Sequence, residues 1–389
     1  MKLEEIQAAL QLRQVDAWLF YDHHHRDPIA YRVLGLPESM FVTRRWFYLI
    51  PAQGNPQKLV HRIEAGHLDA LPGAKRTYSS YQELADGLKS ILQSKPKVAM
   101  QYSPQNMVPY IGLVDAGTVE LVRSLGAEVV TSGDLVAQFE AVWTPQQIAT
   151  HFEAGRVVDR ITEEAFQEIG RRVRQGGAHE FAIQQWIEAA FRREGLTDEN
   201  DPPIVAVNAH SGNPHYAPSA ESSAPIGEGD LVLLDIWAKK QQAGAVYYDI
   251  TWTGCVGRAP SPRQREVFEA VRGARDTGIQ LVKDATAAGR TLCGWEVDRA
   301  VRDYIACAGF GDAFVHRTGH SIGETVHGNG ANMDDLETRD EREIVLNSCF
   351  SIEPGIYLPE FGIRSEVDVL VREGRAEVTG KIQREIVII

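Results

Sequence analysis

Four carboxylates interrupt stretches of this chain that otherwise read as buried β-strand. Asp235 stands within Leu231-Val232-Leu233-Leu234-Asp235-Ile236, and Asp249 within Val246-Tyr247-Tyr248-Asp249-Ile250-Thr251-Trp252. Glu353 lies in Phe350-Ser351-Ile352-Glu353-Pro354-Gly355, and Glu366 in Ile363-Arg364-Ser365-Glu366-Val367. Burying a carboxylate costs on the order of several kcal/mol unless it is paired or bound to metal. One such acid reads equally well as a strand-end residue facing water. Four, each on its own strand of one domain, need a common counter-charge, and the basic residues nearby are few: Arg364, Lys239 and Lys240. A divalent metal is the economical solution. Hard oxygen donors with one imidazole suit manganese, cobalt, iron or zinc better than calcium.

The imidazole comes from His316-Arg317-Thr318-Gly319-His320-Ser321-Ile322-Gly323, whose glycines let the backbone approach a site closely. His316 and His320 are four apart, the spacing of a helical zinc pair, but Gly319 and Gly323 disfavour a helix here. His327 follows seven residues after His320. His215, in Asn213-Pro214-His215-Tyr216, precedes the Asp235 strand on a loop, where a lone histidine is more often a surface residue.

The 389 residues allow about two domains. Residues 1–138 read as a smaller α/β unit: a helix from Leu3 to Val15, strands at 17–20, 45–51, 58–63 and 97–102, and a helix face of Tyr81, Leu84, Leu88 and Leu92. This alternation suggests a mixed sheet flanked by helices. Residues 139–389 read as an α+β domain that opens on Thr144-Pro145-Gln146-Gln147, a helix start with an N-cap, a first-turn proline and a glutamine three residues on. Further helices are expected from about His179, from Ser261-Pro262 and between Gly294 and Gly309. Long strands are expected at Cys349–Leu358 and Ile363–Val371. With 53 acidic and 40 basic residues the net charge is −13, which argues against non-specific binding to nucleic acid or anionic membrane. The cysteines, 255, 293, 307 and 349, have no CxxC spacing and read as reduced, buried thiols of a cytoplasmic protein. The acidic, amphipathic start is no signal peptide.

Taken in order, these residues resemble the pita-bread metallopeptidases: methionine aminopeptidases, aminopeptidases P and Xaa-Pro dipeptidases (prolidases). LLDIWA resembles the strand with the first aspartate and YYDITWTG the strand with the second. HRTGHSIGETVH resembles the stretch with the histidine ligand, and FSIEPGIY and GIRSEVDV the two glutamate strands. The resemblance implies an α+β fold with a C-terminal pita-bread (creatinase/aminopeptidase) domain after a creatinase-like N-terminal domain. It implies two divalent metal ions, manganese in our reading, held by Asp235, Asp249, His320, Glu353 and Glu366. Asp249 and Glu366 would bridge both ions. Asp235 would complete one site, and His320 with Glu353 the other. A water shared by the two cations would be the nucleophile, with Glu353 passing protons. His215, His316 and His327 match the histidines that bind substrate and stabilise the transition state, and Arg364 matches an arginine beside the last glutamate.

The chain departs from the pattern at Trp252, where the family usually has arginine. It departs again at Val367, which replaces the usual acid, and in the longer Asp235–Asp249 spacing, assigned to a polar hairpin at residues 239–244. The N-terminal unit favours the Xaa-Pro branch, acting on short peptides with proline second. Tyr216, Trp252 and Tyr357 are candidates to wall a proline slot. Arg44 or Arg45 holding a product-side carboxylate would favour dipeptides over the longer peptides of an aminopeptidase P. The resemblance also implies a homodimer. A catalytically inactive peptide-binding member of the fold and a lyase on the same metal scaffold are the competing readings.

Overall fold

The computed structural model describes residues 2–93, 96–257 and 259–389. They form two compact units, Met1–Glu140 and Ala141–Ile389.

In chain order the first unit contains α1 (Leu3–Leu12), β1 (Ala17–Asp22), α2 (Pro28–Leu34), β2 (Trp46–Pro51), β3 (Gln57–His61) and β4 (Ala74–Tyr78). It continues with α3 (Tyr81–Ile91), β5 (Lys97–Met100), α4 (Ala116–Ser124), β6 (Glu128–Thr131) and α5 (Gly133–Glu140). Among the described residues the strands make one mixed sheet in the order β4-β3-β2-β1-β5-β6. Helices cover both faces, so the central strands are apolar throughout rather than alternating. Trp18, Phe20, Trp46 and Tyr48 pack into one core cluster. Their neighbours Leu19, Tyr21, Phe47 and Leu49 pack into the other.

The second unit opens on α6 (Pro145–Arg174), whose capping box joins the Thr144 side chain to the Gln147 amide and the Gln147 side chain to the Thr144 amide. Next come α7 (Glu180–Glu194), β7 (Leu196–Thr197), β8 (Ile204–Val207), β9 (Leu231–Lys240), β10 (Tyr248–Cys255), α8 (Pro262–Ala287) and α9 (Gly294–Cys307). The rest is strand and loop: β11 (Ser321–Ile322), β12 (Cys349–Ile352), β13 (Gly355–Tyr357), β14 (Gly362–Arg364), β15 (Val367–Arg372), β16 (Arg375–Val378) and β17 (Val387–Ile388). β9 and β10 are antiparallel, with Asp235 opposite Thr251 and Asp249 opposite Trp237. β11, β12, β15 and β16 form a second sheet, and β13 and β14 a two-stranded ribbon.

Period-two alternation divides β9 and β10 into two faces. Leu234, Ile236, Tyr248, Ile250 and Trp252 pack with Val158, Ile161, Phe166 and Ile183 of α6 and α7. Asp235, Asp249, Thr251 and Thr253 therefore share the opposite face. Trp252 is thus part of the packing under the sheet and does not wall a slot beside the carboxylates.

The two long C-terminal strands expected from the sequence are each broken. Residues 349–357 split into β12 and β13, and 362–372 into β14 and β15, with each half in a different sheet. Glu353 and Glu366 occupy the breaks. Pro354 has no amide to donate to a ladder. At the breaks the Glu353 amide donates to Thr318 O at 2.7 Å and the Glu366 amide to Thr251 O at 3.1 Å. The expected polar hairpin is also displaced, because β9 runs through Lys240. Lys239 pairs with Glu199 and Lys240 with Glu153, so neither lysine neutralises the strand carboxylates. Among the described residues, no helix is long and apolar enough to cross a membrane. Among the described residues no disulfide joins the cysteines. Cys255 and Cys349 are buried and Cys293 is half-buried, but Cys307 is exposed at the C-terminal end of α9, which corrects the expectation of four buried thiols.

Candidate metal centre

Ligand atoms of Asp249, His320 and Glu366 lie within 4.8 Å of one another, and all three residues are buried. Glu353 joins them: His320 Nε2 is 3.5 Å from Glu353 Oε1 and 3.5 Å from Asp249 Oδ2. Asp235 is joined through Thr251, whose hydroxyl lies 2.9 Å from Asp235 Oδ1 and 2.7 Å from Glu366 Oε2. All five candidate ligands therefore converge, drawn from β9, β10, the start of β11 and the two strand breaks.

Backbone contacts fix the histidine. A Cβ on Gly319 would meet Ser351 O at 2.0 Å, so only glycine allows this segment to lie so close to β12. The His320 amide donates to Ser351 Oγ at 2.9 Å, and that hydroxyl contacts Glu353 Oε1 at 3.1 Å. His320 Nδ1 is 3.2 Å from Ser321 O, which suits an Nδ1–H donor and leaves the Nε2 lone pair facing two carboxylates. Metal-ligating histidines are held in this way.

The electrostatics are those of a site built for cations. Burial, then the charge of Asp235, pushes the Asp249 carboxyl well above its ordinary range. Burial, then Asp249, does the same to Glu366, and burial raises Glu353. Burial lowers His320, keeping it in the neutral, ligating form. Asp249 Oδ1 and Glu366 Oε1 are buried and have no hydrogen-bond partner among the described residues. Buried, unpartnered carboxylate oxygens next to an imidazole lone pair are unfavourable alone and fit divalent cations.

Arg364 is the one cation inside the cluster's polar network that the sequence suggested. It pairs with Asp235, donates from Nε to Thr251 Oγ1 at 3.0 Å and from Nη1 to Tyr357 OH at 2.9 Å. His316 Nε2 lies 2.7 Å from the same Tyr357 hydroxyl, and its Nδ1 lies 2.6 Å from Arg317 O. Both ring nitrogens of His316 are thus engaged, and burial, then Arg364, pushes its pKa down to about 3. Burial lifts the Tyr357 phenol to about 12. His327 is exposed, its ring centroid 4.3 Å from that of His320 in an edge-on arrangement. Repulsion from His320 whenever that ring is protonated, then burial, lowers His327 to about 3. His215 is exposed, and its amide donates to Asn213 Oδ1 at 3.1 Å.

The His215 loop is anchored by Glu180, a buried residue that sequence reasoning missed. Its carboxylate accepts from the amides of Val207 and Ala224, both at 2.7 Å, from Tyr216 OH at 2.7 Å and from His210 Nδ1 at 2.9 Å. Tyr216 is thereby tied to Glu180 and stacked on His210 rather than free to line a slot. Thr251 and Asp368 were also missed. Each stands two residues after a candidate ligand, so strand alternation was the signal available. Arg44 and Arg45 belong to the first unit, just before β2. The Arg44 amide donates to Glu64 Oε2 at 3.1 Å, and Arg45 O accepts from Tyr78 OH at 2.7 Å.

Residues 153–373 match the model of metallopeptidase family M24. The chain belongs to metallopeptidase family M24. It is 30% identical over 268 residues to the uncharacterized peptidase YqhT of Bacillus subtilis, covering 68% of this chain and 69% of that protein. It is 29% identical over 256 residues to the Xaa-Pro dipeptidase of Pyrococcus furiosus, covering 65% and 67%. Among solved structures, the recombinant prolidase of Thermococcus sibiricus is similar with a TM-score of 0.64 at 23% identity, over 100% of this chain and 98% of that one. Dipeptidase PepE of Mycobacterium ulcerans gives 0.66 at 24% identity, over 99% and 96%. The fold is therefore the pita-bread α+β fold, and the chain is a metallopeptidase of a family whose members use divalent metal.

Proposed function

We propose that this M24 metallopeptidase is a dinuclear-metal Xaa-Pro dipeptidase. The observation that carries the reading is the pair of orphaned, buried oxygens, Asp249 Oδ1 and Glu366 Oε1, beside the Nε2 lone pair of His320. In this reading Asp249 and Glu366 would serve both cations, with Asp235 at one and His320 and Glu353 at the other. Manganese is our assignment, with cobalt, zinc and iron as alternatives that affinity alone does not exclude. When bound, such ions acidify a water towards neutral pH and polarise the scissile carbonyl.

The protein's own groups do the rest. Glu353 accepts the proton of the attacking water and delivers it to the leaving proline nitrogen. His327, held neutral, and His215, both exposed, hydrogen-bond the substrate carbonyl region. The chain Arg364–Tyr357–His316 holds Arg364 against Asp235 and keeps His316 neutral. Of the aromatic residues considered for the proline ring, Tyr357 remains. Substrate class is supported by relatives named Xaa-Pro dipeptidase, including those of Pyrococcus furiosus and Lactobacillus helveticus. Arg44 or Arg45 holding the dipeptide carboxylate, in a homodimer, belongs to the same reading.

The test is hydrolysis of Ala-Pro and Leu-Pro against the same peptides extended by one residue, after metal removal and manganese add-back. We expect activity only after add-back and faster cleavage of the dipeptides. Faster cleavage of the tripeptides would make the enzyme an aminopeptidase P and remove the role given to the arginines. Release of N-terminal methionine, with no cleavage before proline, would overturn the proline assignment.

A further inference from the structure

A second concave site lies between α8 and the C-terminal segment that follows β16. Its volume is about 400 Å³, within the usual range for small-molecule pockets. Arg272, Arg275, Ile279 and Lys283 are spaced along one face of α8, and Ile382 and Arg384 close the other side. Four cationic side chains line it against a single acid, Asp276. In a chain of net charge −13 such a concentration is not needed for solubility.

The cations are not equally engaged. Buried Arg275 gives Nε and Nη2 to Asp276 and Nη1 to Ser365 Oγ at 2.6 Å and Gln383 O at 2.8 Å. Arg272 pairs with Glu269 and donates to Arg384 O at 2.9 Å. The side chains of Lys283 and Arg384 have no hydrogen bond or ion pair among the described residues. Like charges converge here: burial, and the charges of Arg272 and Arg384, disfavour protonated Arg275.

We propose that this pocket binds a small oxyanion of the phosphate or sulfate class, gripped by Lys283 and Arg384. Arg272 and Arg275 supply the surrounding positive field. Ile279 and Ile382 give apolar contact to a compact organic group carried on the oxyanion, so a monoester binds more tightly than the free ion. The proposal goes beyond the peptidase reading and does not depend on it, since its test is binding.

The experiment uses the full-length, metal-loaded protein. Thermal unfolding and calorimetric titration are run with sodium sulfate against sodium chloride at equal ionic strength, and with phenyl phosphate. The wild type is expected to be stabilised by sulfate beyond chloride, and to bind phenyl phosphate more tightly than sulfate. The double variant Lys283→Gln/Arg384→Gln should bind both anions at least tenfold more weakly. The control Arg192→Gln/Arg193→Gln, on α7, should behave as wild type. Tighter sulfate than phenyl phosphate binding would keep the oxyanion site and overturn the organic group. No effect of sulfate beyond chloride, or an equal effect in the Lys283/Arg384 variant, would overturn the site itself.

Discussion

The main-chain amide of Asp249 donates to Asp368 Oδ2 at 2.9 Å. Asp368 is buried two positions beyond Glu366, and His151 Nε2 stands 3.8 Å from the same oxygen. This contact fixes the backbone of one candidate bridging ligand through a side chain that follows the other. Val367 stands where the sequence resemblance leads one to expect an acid, and Asp368 is the next residue along the chain.

Asp368→Ala should leave the Asp249 amide buried and unpaired, at a cost of about 1–3 kcal/mol. Metal affinity should fall by roughly 10- to 100-fold, the usual range for lost support behind a ligand. Asp368→Asn retains an acceptor oxygen and should lose less of both. Denaturant unfolding and metal analysis of the purified variants measure the two effects. Wild-type metal content and stability in Asp368→Ala would show that the contact supports nothing.

Thr251→Val keeps the shape of the side chain but removes the hydroxyl shared by Asp235, Glu366 and Arg364. Metal affinity should fall by roughly 10- to 100-fold, and kcat/KM with it at limiting manganese. Saturating manganese should restore much of the rate. An unchanged manganese titration would mean that Thr251 does not orient these groups.

Glu180→Gln places an amide N–H where the carboxylate now accepts only donors, and should loosen residues 208–224. The enzyme should keep its metal but lose kcat/KM, because His215 rides on that loop. A large loss of metal instead would place Glu180 behind the ligands rather than behind the loop.

Burial raises Asp249, Glu366 and Glu353 above their ordinary values. The metal-free native state therefore holds protons that the unfolded chain releases at about pH 4. Stability rises with pH only where the unfolded state binds more protons, so these groups make the metal-free protein less stable as pH rises above about 4. Buried histidines such as His151, lowered to about 4 by burial, act in the opposite direction but do so with and without metal. The gap in Tm between metal-loaded and metal-free protein should accordingly widen from pH 5 to pH 8. Paired melts across that range measure it, and a constant or narrowing gap would contradict the assignment of these carboxylates.

Parts of this molecule were legible from the sequence for local reasons. Thr144-Pro145-Gln147 carries its own capping chemistry, and α6 begins there. β9 and β10 announce themselves by apolar runs. β4 and β6 were not read, because they are edge strands: β4 is Ala74-Lys75-Arg76-Thr77-Tyr78, with all but Tyr78 exposed. Local pattern also misled at the C-terminal strands. Apolar residues flank Glu353 and Glu366 so closely that each break between sheets reads as continuous strand. Trp252 was misjudged because its face of β10 depends on α6 and α7, which lie far away in sequence. Glu180 gave no signal, since an acid in the first turn of a helix is ordinary.

The most direct test of the central claim is metal counting on wild type and Asp249→Ala, with peptidase activity measured on the same samples. The account predicts two divalent ions per subunit in the wild type. It predicts loss of both ions and of activity in the variant, because Asp249 is assigned to both sites. Full activity in metal-free Asp249→Ala would contradict it.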